Sequence, residues 1–289
     1  MNFKHLTLAV VLAGLPVYAT ATEVLTTLPV THSLASALLE GTEVQLKRAA
    51  PANLPASRQP AYFSSRGAAA LARAAQHADA VIGVRSIWRD DPLYPMARRS
   101  NIRIVEIDAA RPVDGALPGI AISGDDAYAS YPWLNPTNLG RMADVLANDL
   151  ERLAPADKNR IQSNLAGLKR QLLEMTASSQ TRLAQADNLS VVNLSERLGY
   201  LASGLNLDVV EQPLPADGKW DAKALEALRE NLQGQDVVLV LDHRQPEAAL
   251  MQVIEAAGAK LLVVESDPQD AVAGLKASVE QVVTALDAG

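Results

Sequence analysis

Tyr131-Pro132-Trp133-Leu134-Asn135-Pro136 stands where the sequence pattern of this 289-residue chain changes. Before it, short apolar runs rich in β-formers alternate with helical patterns, which is the signature of a parallel sheet. After it, residues 136–186 read as helix almost throughout, interrupted only at Ala154-Pro155-Ala156-Asp157. Alternation then resumes at Leu189. The segment therefore separates two α/β halves and opens the helical stretch between them.

On the N-terminal side, residues 23–28 read as a first strand, and 31–39 as a helix opened by Thr31 and closed at Gly41. Residues 43–47 read as a second strand. Residues 49–65, with Pro51, Pro55 and Pro60, read as a long loop. A helix over 67–76 leads to strands at 80–84 and 102–107, and then to a loop through Pro112, Gly115 and Pro118. In the middle stretch Ile161, Leu165, Leu168, Leu172 and Met175 recur at intervals of three and four, with Asp157 as the expected cap. On the C-terminal side, strands are expected at 189–193, 208–211, 237–241 and 261–264. Helices are expected at 195–203, 221–232, 245–257 and 270–286. Gly204, Gly234 and Gly258 fall where helices should stop.

The N-terminus reads as a secretory signal. Lys4 precedes an apolar run over 6–17, followed by Ala19-Thr20-Ala21. The run is shorter than the roughly 20 residues that span a bilayer. Cleavage after Ala21 and a periplasmic location are expected. The chain has no cysteine, which excludes disulfides, thiolate ligands, cysteine nucleophiles and a lipidated N-terminal cysteine. No membrane anchor is therefore expected. A formal charge of −7 argues against nucleic acid as a partner. Hydrophobic and charged fractions of 48% and 20% are those of an ordinary globular protein. Neither a Gly-x-Ser-x-Gly nor a His-Glu-x-x-His motif nor a phosphate-cradling glycine loop occurs, so an enzyme is not expected.

Several pieces, in order, resemble the periplasmic metal-binding proteins of ABC importers, the zinc, manganese and iron binders. They are Ala78-Asp79-Ala80-Val81-Ile82-Gly83, Pro132-Trp133-Leu134-Asn135-Pro136, Leu198-Gly199-Tyr200-Leu201-Ala202 and residues 245–265. The resemblance implies an α/β fold of two lobes, each a parallel-type sheet flanked by helices. A long rigid α-helix would join them, with a cleft between. On that reading residues 1–21 are the signal peptide, 22–135 the N-terminal lobe, 136–187 the linking helical segment and 188–289 the C-terminal lobe. It also implies a monomer that carries a transition metal (Zn, Mn or Fe) or a metal chelate to an inner-membrane ABC permease, with no organic cofactor. The alternative is an accessory protein of metal uptake that acts through protein partners or binds an organic anion.

The family's ligands are mostly missing. The loop over 49–65 has no His, Tyr131 stands at the second His position, and Ser195, five residues before Tyr200, stands at the third. Only the carboxylate position is filled, by Glu265 or Asp267.

Ligands of open α/β sheets lie beyond the carboxyl ends of the strands. Those loops offer two candidate sets. His32, Asp242, His243, Glu265 and Asp267 carry imidazole and carboxylate donors suited to a cation. His32 reads more readily as a surface or capping-region residue, and Asp242 with Arg244 equally as a solvated pair. His77 is explained by its place at a helix C-terminus. Arg85, Trp88, Arg89, Tyr131, Ser195 and Glu196 form the second set. Guanidinium groups beside an indole suit an organic anion or a metal chelate, with Tyr62, Tyr128 and Trp133 as further aromatic neighbours. The plainer reading is that the tryptophans pack the lobe interface and the arginines are surface charges.

Overall fold

The computed structural model describes residues 21–112, 119–120, 131–215 and 218–287. Residues 1–20 of the signal segment, Gly115, Pro118 and Tyr128 lie outside the described residues.

The N-terminal lobe runs β1 (Glu23–Thr26), α1 (Pro29–Leu38), β2 (Gln45–Arg48), α2 (Gln59–Phe63), α3 (Ala68–His77), β3 (Ala80–Gly83), α4 (Leu93–Arg98) and β4 (Val105–Asp108). Its four strands are all parallel in the order β2-β1-β3-β4. The central strands Glu-Val-Leu-Thr and Ala-Val-Ile-Gly are buried at every position, as strands covered by helices on both faces must be. The C-terminal lobe repeats the plan with β5 (Ser190–Asn193), α7 (Gly199–Gly204), β6 (Asp208–Val209), α8 (Ala222–Gly234), β7 (Leu239–Asp242), α9 (Ala248–Ala256), β8 (Lys260–Val263) and α10 (Ala271–Asp287). Its order, β6-β5-β7-β8, is the same, and again parallel. In each lobe the chain winds outward in both directions from the central pair, so the crevice beyond β1/β3 and β5/β7 is a switch point.

Between the lobes lie α5 (Pro136–Leu153) and α6 (Lys158–Leu183). They form an antiparallel hairpin: Lys169 pairs with Asp144 at 2.7 Å, and Lys158 reaches Glu151 at 3.5 Å. At 26 residues and 1.5 Å per residue, α6 is about 39 Å long. It packs on α1 of one lobe and α10 of the other. The expected apolar stripe is buried as read, and Ser179 and Leu183 extend it. A single apolar cluster runs from Val24, Leu34 and Ile82 through Trp133, Leu146 and Leu172 to Val191, Leu241 and Val282. Opening the lobes as rigid bodies would have to break this shared core, so limited hinge motion is built in.

The opening segment becomes a 3-10 turn (Pro132–Leu134) that enters α5. Asn135 is the N-cap, its Oδ1 accepting from Thr137 N at 2.9 Å, and Pro136 occupies the first helical position. An asparagine therefore does there what an aspartate would.

Three expectations need correction, and one helix lies where none was expected. Asp157 makes no side-chain capping bond, because the 3-10 turn Pro155–Asp157 runs straight into α6 and leaves no extended cap residue. Helix α1 begins at Pro29 rather than Thr31, proline being pre-shaped for that place. The loop over residues 49–65 contains a 3-10 turn (Ala56–Arg58) and α2, which Pro60 starts rather than breaks. Helix α4 follows Pro92, in a stretch whose apolar run is too short to show a period.

Candidate functional site

The carboxyl ends of both sheets face the gap between the lobes. Register places Thr26 beside Arg48 and Ile82, and Asp242 beside Val263. Tyr131 enters from the 3-10 turn. It is buried among Trp88 and Trp133, with ring centroids 5.5 and 4.9 Å away. From the other lobe Arg197 lies over the Tyr131 ring, its guanidinium carbon 5.0 Å from the centroid. Burial pushes the Tyr131 phenol up, against the opposing pull of Arg197. Asp267, just past β8, completes the wall. A cavity of about 280 Å³ is bounded by Tyr131, Arg197, Asp267, Gln269 and the 52–57 loop. That loop follows β2, where the family resemblance would put a histidine. Gln269 Nε2 donates to Ala52 O at 3.0 Å, and Ala271 N to Ser33 Oγ at 2.9 Å, tying the lobes at one edge of the cavity.

Burial raises the Asp267 carboxyl from 3.8 to about 6; Arg197 opposes this, Glu265 adds to it and Arg48 opposes it. Arg48, the last residue of β2, has its charge disfavoured by burial and supported by Asp267. Beside it His32 Nδ1 lies 2.9 Å from Thr26 Oγ1, and burial followed by repulsion from Arg48 lowers its pKa from 6.5 to about 4. His32 also borders a larger open groove of about 760 Å³ between α1, β2 and α6, which Gln269 shares with the cavity.

These two shifts act on stability in opposite senses. Folding raises the Asp267 pKa, so its contribution falls as pH rises from 3.8 to about 6. Folding lowers that of His32, so its contribution rises as pH goes from about 4 to 6.5. In urea unfolding between pH 4 and 6.5, Asp267→Asn is expected to leave a curve rising with pH, and His32→Asn a falling one. Superimposable pH profiles for the wild type and both variants would refute this.

The five candidate cation donors do not form one centre. Among the described residues no group of three or more His, Asp or Glu is placed to hold a metal ion. Asp242 is buried, and its Oδ1 accepts the His243 backbone N–H at 2.6 Å and lies 3.1 Å from His243 Nδ1, closing a local turn after β7. Glu265 is exposed. The second set is also divided. Arg85 pairs with Glu106 at 2.9 Å, Trp88 is sealed in the core at 1% exposure, and Arg89 and Glu196 are exposed. Ser195 is buried at the start of the turn after β5. Tyr62 packs edge-on to Phe63, under Arg66. Only Tyr131 and Asp267 of the two sets meet at the cavity. Arg48 and Arg197 stand in neither candidate set. Arg48 was one residue beyond the expected second strand, so the strand-end rule would have found it. Arg197 sits two residues past Ser195, in a turn whose direction the sequence does not show.

The sequence matches the family described as "ZnuA: Zinc-uptake complex component A periplasmic" over residues 24–273. The chain belongs to the ZnuA family. Members of this family are periplasmic solute-binding proteins of metal uptake rather than enzymes. Comparison with curated protein sequences gave no match. Solved structures that share the fold at low identity include the following three. FpvC from Pseudomonas aeruginosa, in complex with Mn2+, is 20% identical with a TM-score of 0.71, covering 93% of this chain and 100% of that one. A ZnuA crystal structure is 19% identical with a TM-score of 0.67, covering 92% and 99%. Zn(II)-bound AdcA from Streptococcus pneumoniae is 16% identical with a TM-score of 0.68, covering 93% and 58%. None of the three is named for iron, the third metal the resemblance suggested. The two-lobe fold expected from the sequence is thus the fold of the ZnuA family.

Proposed function

We propose that this ZnuA-family chain is the solute-binding component of an ABC importer, delivering a transition metal or a metal chelate to an inner-membrane permease. The observation that carries the reading is the cavity between the strand ends of the two lobes. There Tyr131 and Asp267 stand at positions that the family resemblance assigns to ligands. Zinc and manganese are the first cargo ions to try, because AdcA and FpvC hold them. The N-terminal segment would send the chain to the periplasm and be cleaved after Ala21.

The test is native mass spectrometry and thermal denaturation of the mature chain with Zn2+, Mn2+ and their small chelates. One bound equivalent is expected, with stabilisation of about 2.7 kcal/mol at a ligand concentration of 100 Kd. No bound species and no thermal shift across the series would overturn the transport reading in favour of an accessory role through protein partners.

A further inference from the structure

The resemblance implies imidazoles around a bare ion, whereas here Arg197 lines the cavity and Arg48, outside its lining, acts on the same Asp267. We infer that the cleft takes its metal as a small carboxylate chelate, whose carboxylates are bound by Arg48 of one lobe and Arg197 of the other. The inference rests on the metal-uptake reading above and names the form of the cargo.

Four observations carry it. First, Arg48 Nη1 is buried with no hydrogen-bond partner. A buried charged donor left unpaired is costly, so it calls for a ligand or water oxygen. Second, Arg197 spends little of its fork within the protein. Its hydrogen bond among the described residues is a long one, 3.4 Å from Nη1 to Ser266 Oγ. The guanidinium lies over the Tyr131 ring, its carbon 5.0 Å from the centroid, and a guanidinium fork suits a planar, two-oxygen partner. Third, neither arginine forms an ion pair with a carboxylate among the described residues, although both act electrostatically on Asp267. The arginines are held near one acid without being neutralised by contact. Fourth, α1 begins at Pro29 on the cavity wall and turns the positive end of its dipole toward the same space.

Size narrows the class. A water occupies about 30 Å³ of liquid, so the 280 Å³ cavity is far larger than one ion with its first shell needs. It lies just below the roughly 300 Å³ at which small-molecule pockets begin. A hydroxycarboxylate holding one metal ion fits that space. Asp267, on which both arginines act electrostatically, would face the metal while they take the carboxylates.

The experiment is isothermal titration of the mature chain with zinc citrate, with citrate alone and with Zn2+ alone. Each is repeated on Arg48→Gln, Arg197→Gln and Arg197→Lys. Zinc citrate should bind at least about tenfold tighter than either component, and each glutamine variant should weaken it by at least about tenfold. Arg197→Lys, which keeps the charge and loses the fork, should fall between and guards against a folding defect in the glutamine variant. Zn2+ binding as tightly as zinc citrate, with affinity unchanged in the variants, overturns the chelate inference and leaves the metal-uptake reading standing. Citrate binding as tightly without zinc, and needing the arginines, overturns the metal-uptake reading and with it the chelate. Failure of all three probes to bind overturns both.

Discussion

Trp133→Ala should destabilise the protein by about 3–5 kcal/mol, the range for truncating a buried tryptophan. For a chain of this size that lowers Tm by roughly 10 °C. Trp133 is 2% exposed and stands edge-on to Trp88 at 5.1 Å, with Tyr131 4.9 Å away. It lies in the apolar cluster common to both lobes, so the void would open between them. Removing it also takes away the wall behind Tyr131, over whose ring Arg197 lies. Ligand affinity should therefore fall together with stability. Trp133→Phe separates the two causes. Trp133 Nε1 is buried without a partner, so phenylalanine removes an unsatisfied donor while keeping most of the ring contact. Its expected loss is under about 2 kcal/mol, with binding retained. Denaturant titration beside ligand titration reads both. An alanine variant within about 1 kcal/mol of wild type would show that the aromatic cluster does not join the lobes.

Gly274→Ala should destabilise as well, against the usual sign of that change. Within a helix alanine is favoured over glycine by about 1 kcal/mol, and Gly274 is inside α10. A Cβ there would fall far inside van der Waals contact with Cγ and Cβ of Pro268. The proline ring cannot swing aside as a long side chain would. Overpacking of this kind costs about 1–3 kcal/mol, which outweighs the propensity gain. Pro268 lies between Asp267 and Gln269, both on the cavity wall, so the displaced segment is the one that shapes the site. The measurement is urea unfolding and zinc citrate titration of the variant. A Gly274→Ala protein more stable than wild type would show that the 265–269 turn yields without strain. Unchanged affinity in a destabilised variant would show that the shift stops short of Asp267.

Much of the fold was legible from local pattern. The buried runs at residues 80–84 and 237–241, the three-and-four spacing of Ile161 to Met175 and Gly258 past α9 each report a short-range constraint. Gly258 has φ +81, which glycine adopts without strain. What local pattern missed were elements set by prolines that start helices instead of stopping them, at Pro29 and Pro60.

The site was less legible. Tyr131 and Asp267 were found because they lie at strand-end or hinge positions that chain order reveals. Arg85 and Arg89 looked equally suitable, being charged and close to a tryptophan in sequence. The structure gives Arg85 to Glu106 and leaves Arg89 in solvent. Arg48 and Arg197 are 149 residues apart in the chain, and nothing local to either marks them as neighbours of one carboxylate. By itself the sequence determined two parallel α/β lobes, a helical link and the absence of the family's histidines, because period, caps and residue identity are local properties. Only the tertiary structure decided which charged side chains share a space. Electrostatic and packing relations depend on distances set when α1, α6 and α10 bring the two sheets together, and those distances are not encoded in any one segment.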